Sequence, residues 1–295
     1  MPFIRLGANL RNHKIIRHPM ILPLARTLWN SALFELIRRS HGNIWYPVFL
    51  FRWQLVALLT PRRYVDVTGV RFSIGCTNWI THFRWYLFES KEPEVRYFFD
   101  RNLRTGDTVL DVGANVGVFS LYVAALKRDS TVYAIEPEIS NIARLRENIF
   151  ANGFQEWIKP ICAGVSDRVG ITQLFLSSEE AGAAVHSISD SELERTHLGY
   201  DVVGSEPVFS VTLDYLTKEG NFVPNLIKID TDGNEKRILS GARQLLSDRR
   251  LRGFVIEMPM DFKEAEECRM ILVASGFIQS DYPYPQTLNE IWTRV

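Results

Sequence analysis

The sequence predicts an α/β protein with a doubly wound, mostly parallel sheet, preceded by a basic, helical N-terminal extension. Three observations lead there. From about residue 64 onward, short apolar runs alternate with amphipathic stretches of helical period, an order that packs helices on both faces of a parallel sheet. Residues 109–117, VLDVGANVG, carry one apolar run into a helix through a glycine-containing turn. The next run, VYAIEP over 132–137, has an acid, Glu136, at its end.

Residues 1–63 form the extension and 64–295 the main domain. The extension holds ten Lys or Arg against one acid, Glu35, which leaves 24 basic and 33 acidic residues for the rest. A formally neutral chain is thus divided into a head of about +9 and a body of about −9. The most apolar run, IWYPVFLFRWQLVALL over 44–59, is short for a spanning helix and is interrupted by Arg52. It reads as a helix packed on the main domain or self-associating with a second subunit. Its aromatics and flanking arginines also suit a peripheral membrane contact.

In the body, TVLDV (108–112) reads as a buried strand and VGVFSLYVAALKR (116–128) as the helix after it. TVYAIE (131–136) is the second strand. EISNIARLRENIFANG then forms a helix with Ile139, Ile142, Ala143, Leu145 and Ile149 largely on one face, stopped by Asn152-Gly153. WIKPICAGVSD (157–167) supplies a third strand and a loop, and ITQLFLS (171–177) an additional strand. Residues 178–206 are polar and serine-rich, an irregular loop or a lid. LIKID (226–230) is a buried strand, with Gly233 opening the helix EKRILSGARQLL. FVIEM (254–258) is a further strand, with Glu257 at the same edge.

The turn after the first strand identifies a ligand class. A dinucleotide fingerprint reads G-x-G-x-x-G and rests a pyrophosphate on the helix N-terminus. Here Asp111, Gly113 and Gly117 give D-x-G-x-x-x-G. A carboxylate beside the turn repels a pyrophosphate and suits a ligand carrying positive charge. S-adenosylmethionine, with its sulfonium and ammonium, fits better than NAD, and Glu136 is spaced to accept from both ribose hydroxyls. In the second strand end, Lys228 and Asp230 share one face by the period of two, and Asp232 follows in the turn. These groups serve a proton transfer or hold a divalent metal; equally, Asp232 caps the helix and Asp230 pairs with Lys228.

Composition narrows the rest. An apolar fraction of 46% supplies an ordinary globular core. Three scattered cysteines, Cys76, Cys162 and Cys268, form neither a disulfide framework nor a zinc pattern, so a reducing cytoplasm is expected. The opening MPFIRLGANLRNHK lacks the apolar core of a secretory signal. The expected location is cytoplasmic, with the head offering a peripheral contact at the inner face of the membrane. Nucleic acid is disfavoured as a partner: the body is acidic, and the aromatics of the head cluster instead of alternating with basic residues.

The stretches DVGANVGVFSLYVA, VYAIEPEISNIARLRENIFANG, VTLDYL, IKIDTDGNEKRILSGARQLL and FVIEM together resemble the FkbM-type S-adenosylmethionine-dependent methyltransferases, over roughly residues 90–260. The resemblance implies the Rossmann-like class I methyltransferase fold, seven strands with one antiparallel near the C-terminal edge, which LNEIWTRV (288–295) would supply. It implies O-methylation of a hydroxyl on a sugar, glycan, glycolipid or natural product. By position, Asp111, Gly113, Asn115 and Gly117 would line the methionine side and Glu136 hold the ribose. Ser166 and Asp167 match the loop beside adenine. Lys228, Asp230 and Asp232 match a segment beside the transferred methyl, with Asp232 where many members have Glu. The base expected is Asp230, assisted by Lys228, with His186 and His197 as substitutes. An RNA ribose methyltransferase and a non-catalytic interaction protein retaining the fold are the alternatives.

Overall fold

The computed structural model describes residues 62–184, 186–189, 202–283 and 287–294. The head therefore lies outside the described residues except for Arg62 and Arg63, as do its apolar run and His197. Arg62 and Arg63 open the first described strand, β1 (Arg62–Val67), which turns through Thr68-Gly69, both at positive φ, into its antiparallel partner β2 (Val70–Gly75). Two helices follow, α1 (Trp79–Tyr86) and α2 (Pro93–Asn102). Asn78 caps α1 with its side chain, and Pro93, which has no N–H to leave unpaired, opens α2.

The main sheet holds β3 (Thr108–Val112), β4 (Thr131–Ile135), β5 (Ile158–Ile161), β10 (Leu226–Ile229), β11 (Gly253–Glu257), β12 (Ile278–Gln279) and β13 (Asn289–Thr293). Their spatial order is β12-β13-β11-β10-β3-β4-β5. All neighbouring pairs are parallel except those made by β13, which runs antiparallel to β11 and β12. The seven strands and the antiparallel strand near the C-terminal edge agree with expectation. Val109 and Leu110 are both fully buried, although successive strand residues face opposite ways. Val109 joins a core with Phe98, Leu121 and Leu145, and Leu110 joins another with Ile238, Leu246 and Leu272. Both faces of β3 are thus covered, as a continuous apolar strand requires.

Helices α3 (Val118–Leu126) and α4 (Ile139–Asn152) follow β3 and β4. Gly153, at φ 69°, ends α4. The expected single helix EKRILSGARQLL is two, α6 (Glu235–Ser240) and α7 (Arg243–Ser247), broken at Gly241-Ala242. Asn234, not Gly233, is its N-cap. A Cβ at 241 would stand 2.5 Å from the Ser166 carbonyl oxygen, so the break lets another chain segment press close. Helices α5 (Leu213–Glu219) and α8 (Phe262–Ala274) complete the described set.

A second sheet stands beyond β5: β6 (Gly164–Val165), β7 (Gly170–Leu176), β8 (Ser187–Ser189) and β9 (Gly204–Val211), in the order β6-β9-β7-β8. The segment 178–206, expected to be irregular, contributes β8 and the start of β9. β7 anchors both by antiparallel pairing, a non-local contact that helical periodicity does not report.

Candidate active site

The chain runs from β3 outward to β4 and β5, then returns to place β10 on the other side of β3. Strand order reverses there, and the carboxyl ends diverge to leave a crevice. A cavity of about 390 Å³ occupies it, lined on one side by Gly113, Asn115 and Glu136 and on the other by Lys228, Asp230 and Glu257.

The turn after β3 owes its path to glycine. Gly113 lies at φ 76°, and a Cβ on it would fall 1.8 Å from the Asp230 carbonyl oxygen. Gly117, at φ 87°, lets α3 pack on α4, since a Cβ there would meet Leu145 at 2.2 Å. Backbone donors at such a turn are free to hold a ligand phosphate in dinucleotide folds. Here the Gly113 and Ala114 N–H groups both donate to the Ile135 carbonyl, and the Asn115 N–H donates to Glu136 Oε2 at 2.8 Å. Three donors are occupied by the protein, and the turn has little to offer a pyrophosphate.

Glu136 sits just past the tip of β4, 5% exposed. Its Oε1 accepts from the Glu138 N–H at 3.0 Å. Burial raises its pKa against these two N–H bonds, to about 7. Glu136 lines the cavity, and a carboxylate oxygen can accept more than one hydrogen bond.

Across the crevice lies a chain of charges. Asp111 and Lys228 are register partners on β3 and β10. Lys228 Nζ stands 3.4 Å from Asp111 Oδ1 and 3.1 Å from Asp230 Oδ2, donates to the Gly113 carbonyl at 3.3 Å and lies 5.6 Å from the centre of the Phe119 ring. Asp111 Oδ2 accepts from Ser120 Oγ at 2.5 Å. Burial opposes the charge on Lys228, but Asp230 and Asp111 outweigh it and keep the ammonium. Burial likewise raises Asp230, yet Lys228 and a hydrogen bond from Glu257 hold it well below the usual carboxylate range. Glu257 takes the opposite course: burial and the charge on Asp230 raise it far enough that it carries a proton at neutral pH. The row is therefore carboxylate, ammonium, carboxylate, carboxylic acid.

The structure brings together Gly113, Asn115, Glu136, Lys228, Asp230 and Asp232 at one cavity. Asp111 and Gly117 lie beneath it: Asp111 is 2% exposed and reaches the site through Lys228, and Gly117 serves helix packing. Ser166 and Asp167 are not among the lining residues; Ser166 is buried, its N–H pairs with the Val211 carbonyl, and its hydroxyl meets Asp167 Oδ1 at 3.2 Å. Asp232, at φ 55°, leaves the capping of α6 to Asn234. One oxygen each from Asp230, Asp232 and Glu257 lie within 4.8 Å of one another, the only such acidic, His or Cys group among the described residues. His186 lines the cavity, but its Nδ1 accepts from the Ser177 N–H at 3.3 Å. The neutral ring then carries its proton on Nε2, which leaves His186 poorly suited to accept another.

Sequence reasoning offered 178–206 as an irregular loop or a lid but did not single out the side chains that hold its start. Asn78 Nδ2 donates to the Ala181 carbonyl (2.8 Å), Arg84 Nε to Gly182 O (2.6 Å) and Asn115 Nδ2 to Ala183 O (2.6 Å), while Asn141 Oδ1 accepts from the Gly182 N–H (2.6 Å). The start of the serine-rich segment is thus fastened across the site by four side chains from different parts of the chain. Glu94 and Asn289, which also line the cavity, were missed too. An acid in the first turn of a helix is commonplace, and no local signal marked this one.

A family model described as the methyltransferase FkbM domain matches residues 111–279. The chain is 32% identical over 159 residues to a 31-O-demethyl-FK506 methyltransferase of Streptomyces tacrolimicus, covering 47% of this chain and 60% of that one. It is 26% identical over 141 residues to the hexuronic acid methyltransferase AglP of Haloferax volcanii, covering 48% and 52%. The chain thus spans less than two thirds of the length of these relatives. Among solved structures, Aeropyrum pernix fibrillarin with bound S-adenosyl-L-methionine is similar at 12% identity and a TM-score of 0.41, covering 79% of this chain and 82% of that one. The match at 111–279 begins at Asp111 in β3 and spans the turn, Glu136 and β10, more than half of the chain: the chain belongs to the FkbM methyltransferase domain family.

Proposed function

We propose that the protein is an S-adenosylmethionine-dependent O-methyltransferase acting on a hydroxyl of a sugar, glycan or natural product. One observation carries this reading: a single cavity joins Glu136, at the end of β4, to the Lys228–Asp230 pair at the end of β10. The residues fit the cofactor. Glu136 would accept from the ribose hydroxyls, the bare Gly113 turn lets the Asp230 carbonyl close against it at the cavity, and the acidic wall suits a cation. The cofactor supplies an already activated sulfonium methyl. The relatives' names, which include an O-methyltransferase of Aspergillus flavus at 25% identity, support a small hydroxylated acceptor.

The protein's part is positioning and proton removal. Asp230, fixed by Lys228 on one side and Glu257 on the other, would accept a hydrogen bond from the acceptor hydroxyl and aim its lone pair at the methyl carbon. A carboxylate held at low pKa is a weak base toward an alcohol. It suffices once the oxygen begins to bond carbon, because the hydroxyl proton then becomes strongly acidic. The proton would pass to Asp230 as the new O–C bond forms and the methyl's bond to sulfur breaks, its electron pair leaving on the neutral thioether of S-adenosylhomocysteine. Asp230, Asp232 and Glu257 would hold a divalent ion only after Glu257 gives up its proton, while the Lys228 ammonium already supplies a positive charge.

The test is calorimetric titration of S-adenosylhomocysteine into the protein and Glu136→Ala, followed by transfer of labelled methyl to hydroxylated acceptors. Micromolar binding, weakened several-fold or more in the variant, is expected. A folded protein that binds no S-adenosylhomocysteine would overturn the reading.

A further inference from the structure

Glu94 lies in the first turn of α2 and is 1% exposed, yet it forms part of the cavity wall. Its Oε1 accepts from Asn289 Nδ2 at 2.7 Å. Its Oε2 is buried with no partner at hydrogen-bond geometry among the described residues; burial raises the Glu94 pKa, while its own N–H and the Thr287 side chain lie near enough to favour the ionised form. A buried carboxylate oxygen without a donor is unfavourable unless something else supplies one. Glu94 and Asn289 both fall outside the matched family region of 111–279.

Their place in the sheet says which ligand they face. Asn289 is in register with Glu257 on β11, and β10 separates β11 from β3. At about 4.8 Å per strand, Asn289 stands roughly 14 Å from the strand that carries Gly113. The turn and Glu136 occupy the β3–β4 side, so Glu94 belongs to the opposite, acceptor half.

The charge of that half restricts the acceptor. Glu92, Glu94, Asp230, Asp232 and Glu257 line it. Its nearby cations are engaged: Lys91 pairs with Glu92, Arg84 Nε donates to the Gly182 carbonyl, and Lys228 lies between Asp111 and Asp230. With Glu257 protonated, a carboxylate on the acceptor would have to compete with Glu92 and Asp230 for Lys91 and Lys228.

We propose that Glu94, held by Asn289, forms an acceptor subsite that takes a hydroxyl of a neutral, polyhydroxylated compound on Oε2. The subsite rests on the methyl-transfer reading above. It orients the acceptor from a group distinct from the one being methylated and does not touch the cofactor.

The experiment uses the full chain, labelled S-adenosylmethionine and four probes: the methyl glycosides of glucose, mannose and rhamnose, and the methyl glycoside of glucuronic acid. Glu94→Gln and Glu94→Met are compared with the parent protein. The neutral glycosides should be methylated at least about tenfold more efficiently than the glucuronoside. Glu94→Met should raise the acceptor KM by about tenfold or more, as loss of a charge-assisted hydrogen bond does. The kcat should change less, and Glu94→Gln, which keeps the Asn289 contact, should fall between. Affinity for S-adenosylhomocysteine should stay within twofold, although Glu94→Met leaves the buried Asn289 amide without its acceptor and so lowers the thermal midpoint, a loss that Glu94→Gln avoids. An unchanged KM, a preference for the glucuronoside, or weakened S-adenosylhomocysteine binding would overturn the subsite. A parent protein that binds S-adenosylhomocysteine but methylates none of the probes would overturn the hydroxyl-acceptor reading and the subsite with it.

Discussion

Glu136 makes cofactor affinity depend on pH in a way that can be worked from its surroundings. Burial raises it from an ordinary 4.5 to about 7, a difference that corresponds to about 3 kcal/mol favouring the neutral form in the unliganded site. Ribose hydroxyls donate to the carboxylate and favour its ionised form. A ligand that binds only that form weakens as pH falls through 7: by linkage, affinity for S-adenosylhomocysteine at pH 5.5 should be about 30-fold below that at pH 8. Binding at pH 7 should release about half a proton. Without ligand the sign is opposite. The folded-state pKa is the raised one, so the stability contributed by Glu136 is complete below about pH 4.5 and is lost as pH rises through about 7. Calorimetry at pH 5.5, 6.5 and 8, in buffers of different ionisation enthalpy, reads both affinity and proton release. Glu136→Gln should be weaker at pH 8 and nearly flat across the range. A flat profile in the parent protein, or the same slope in the variant, would refute the assignment of Glu136 as the ribose acid.

Other outcomes follow from the same geometry. Lys228→Met leaves Asp111 and Asp230 facing each other without the ammonium; unfolding free energy at pH 7 should drop by about 3–5 kcal/mol and recover in part at pH 5, measured by urea titration. Gly113→Ala forces a Cβ into the Asp230 carbonyl at a positive φ, and should destabilise by about 3 kcal/mol or more while abolishing S-adenosylhomocysteine binding. His186→Asn should keep methyl transfer within about fivefold with an unchanged pH profile, because the Nδ1 lone pair is already engaged; a loss of about a hundredfold would restore His186 as the base. Chelation with EDTA should leave the rate at pH 7 within about twofold, since Lys228 and the Glu257 proton already balance charge at Asp230; a large loss restored by magnesium would instead make the three acids a metal centre.

Much of the sheet was legible because its strands are buried on both faces. TVLDV and LIKI are mostly apolar runs, each interrupted by one charged residue, and each forms the strand expected, within a residue of its predicted ends. The Lys228–Asp230 pairing was legible from the period of two. Its consequence was not: the sequence offers Asp230 as a plain carboxylate, whereas its low pKa depends on Lys228 on one side and Glu257 from the neighbouring strand on the other. The second sheet was partly hidden, because β8 has three residues in a serine-rich stretch and owes its conformation to pairing with β7.

What escaped the sequence altogether are side chains brought together across long separations. Glu94 and Asn289 are 195 positions apart, and each has an ordinary local explanation, one in the first turn of a helix and the other at the start of a strand. The anchoring of the segment at 181–183 escaped for the same reason: Asn78, Arg84 and Asn141 look like surface polar residues, and Asn115 like a cofactor contact, until their partners there are known. The cofactor half is encoded in contiguous motifs because one turn and one strand tip build most of it. The proposed acceptor half also draws on α2 and β13, whose Glu94 and Asn289 lie outside the quoted motifs and can change without disturbing one. An enzyme that keeps one methyl donor while varying its acceptor would place its specificity there, and that is why the acceptor question turns on Glu94 and not on the glycine turn.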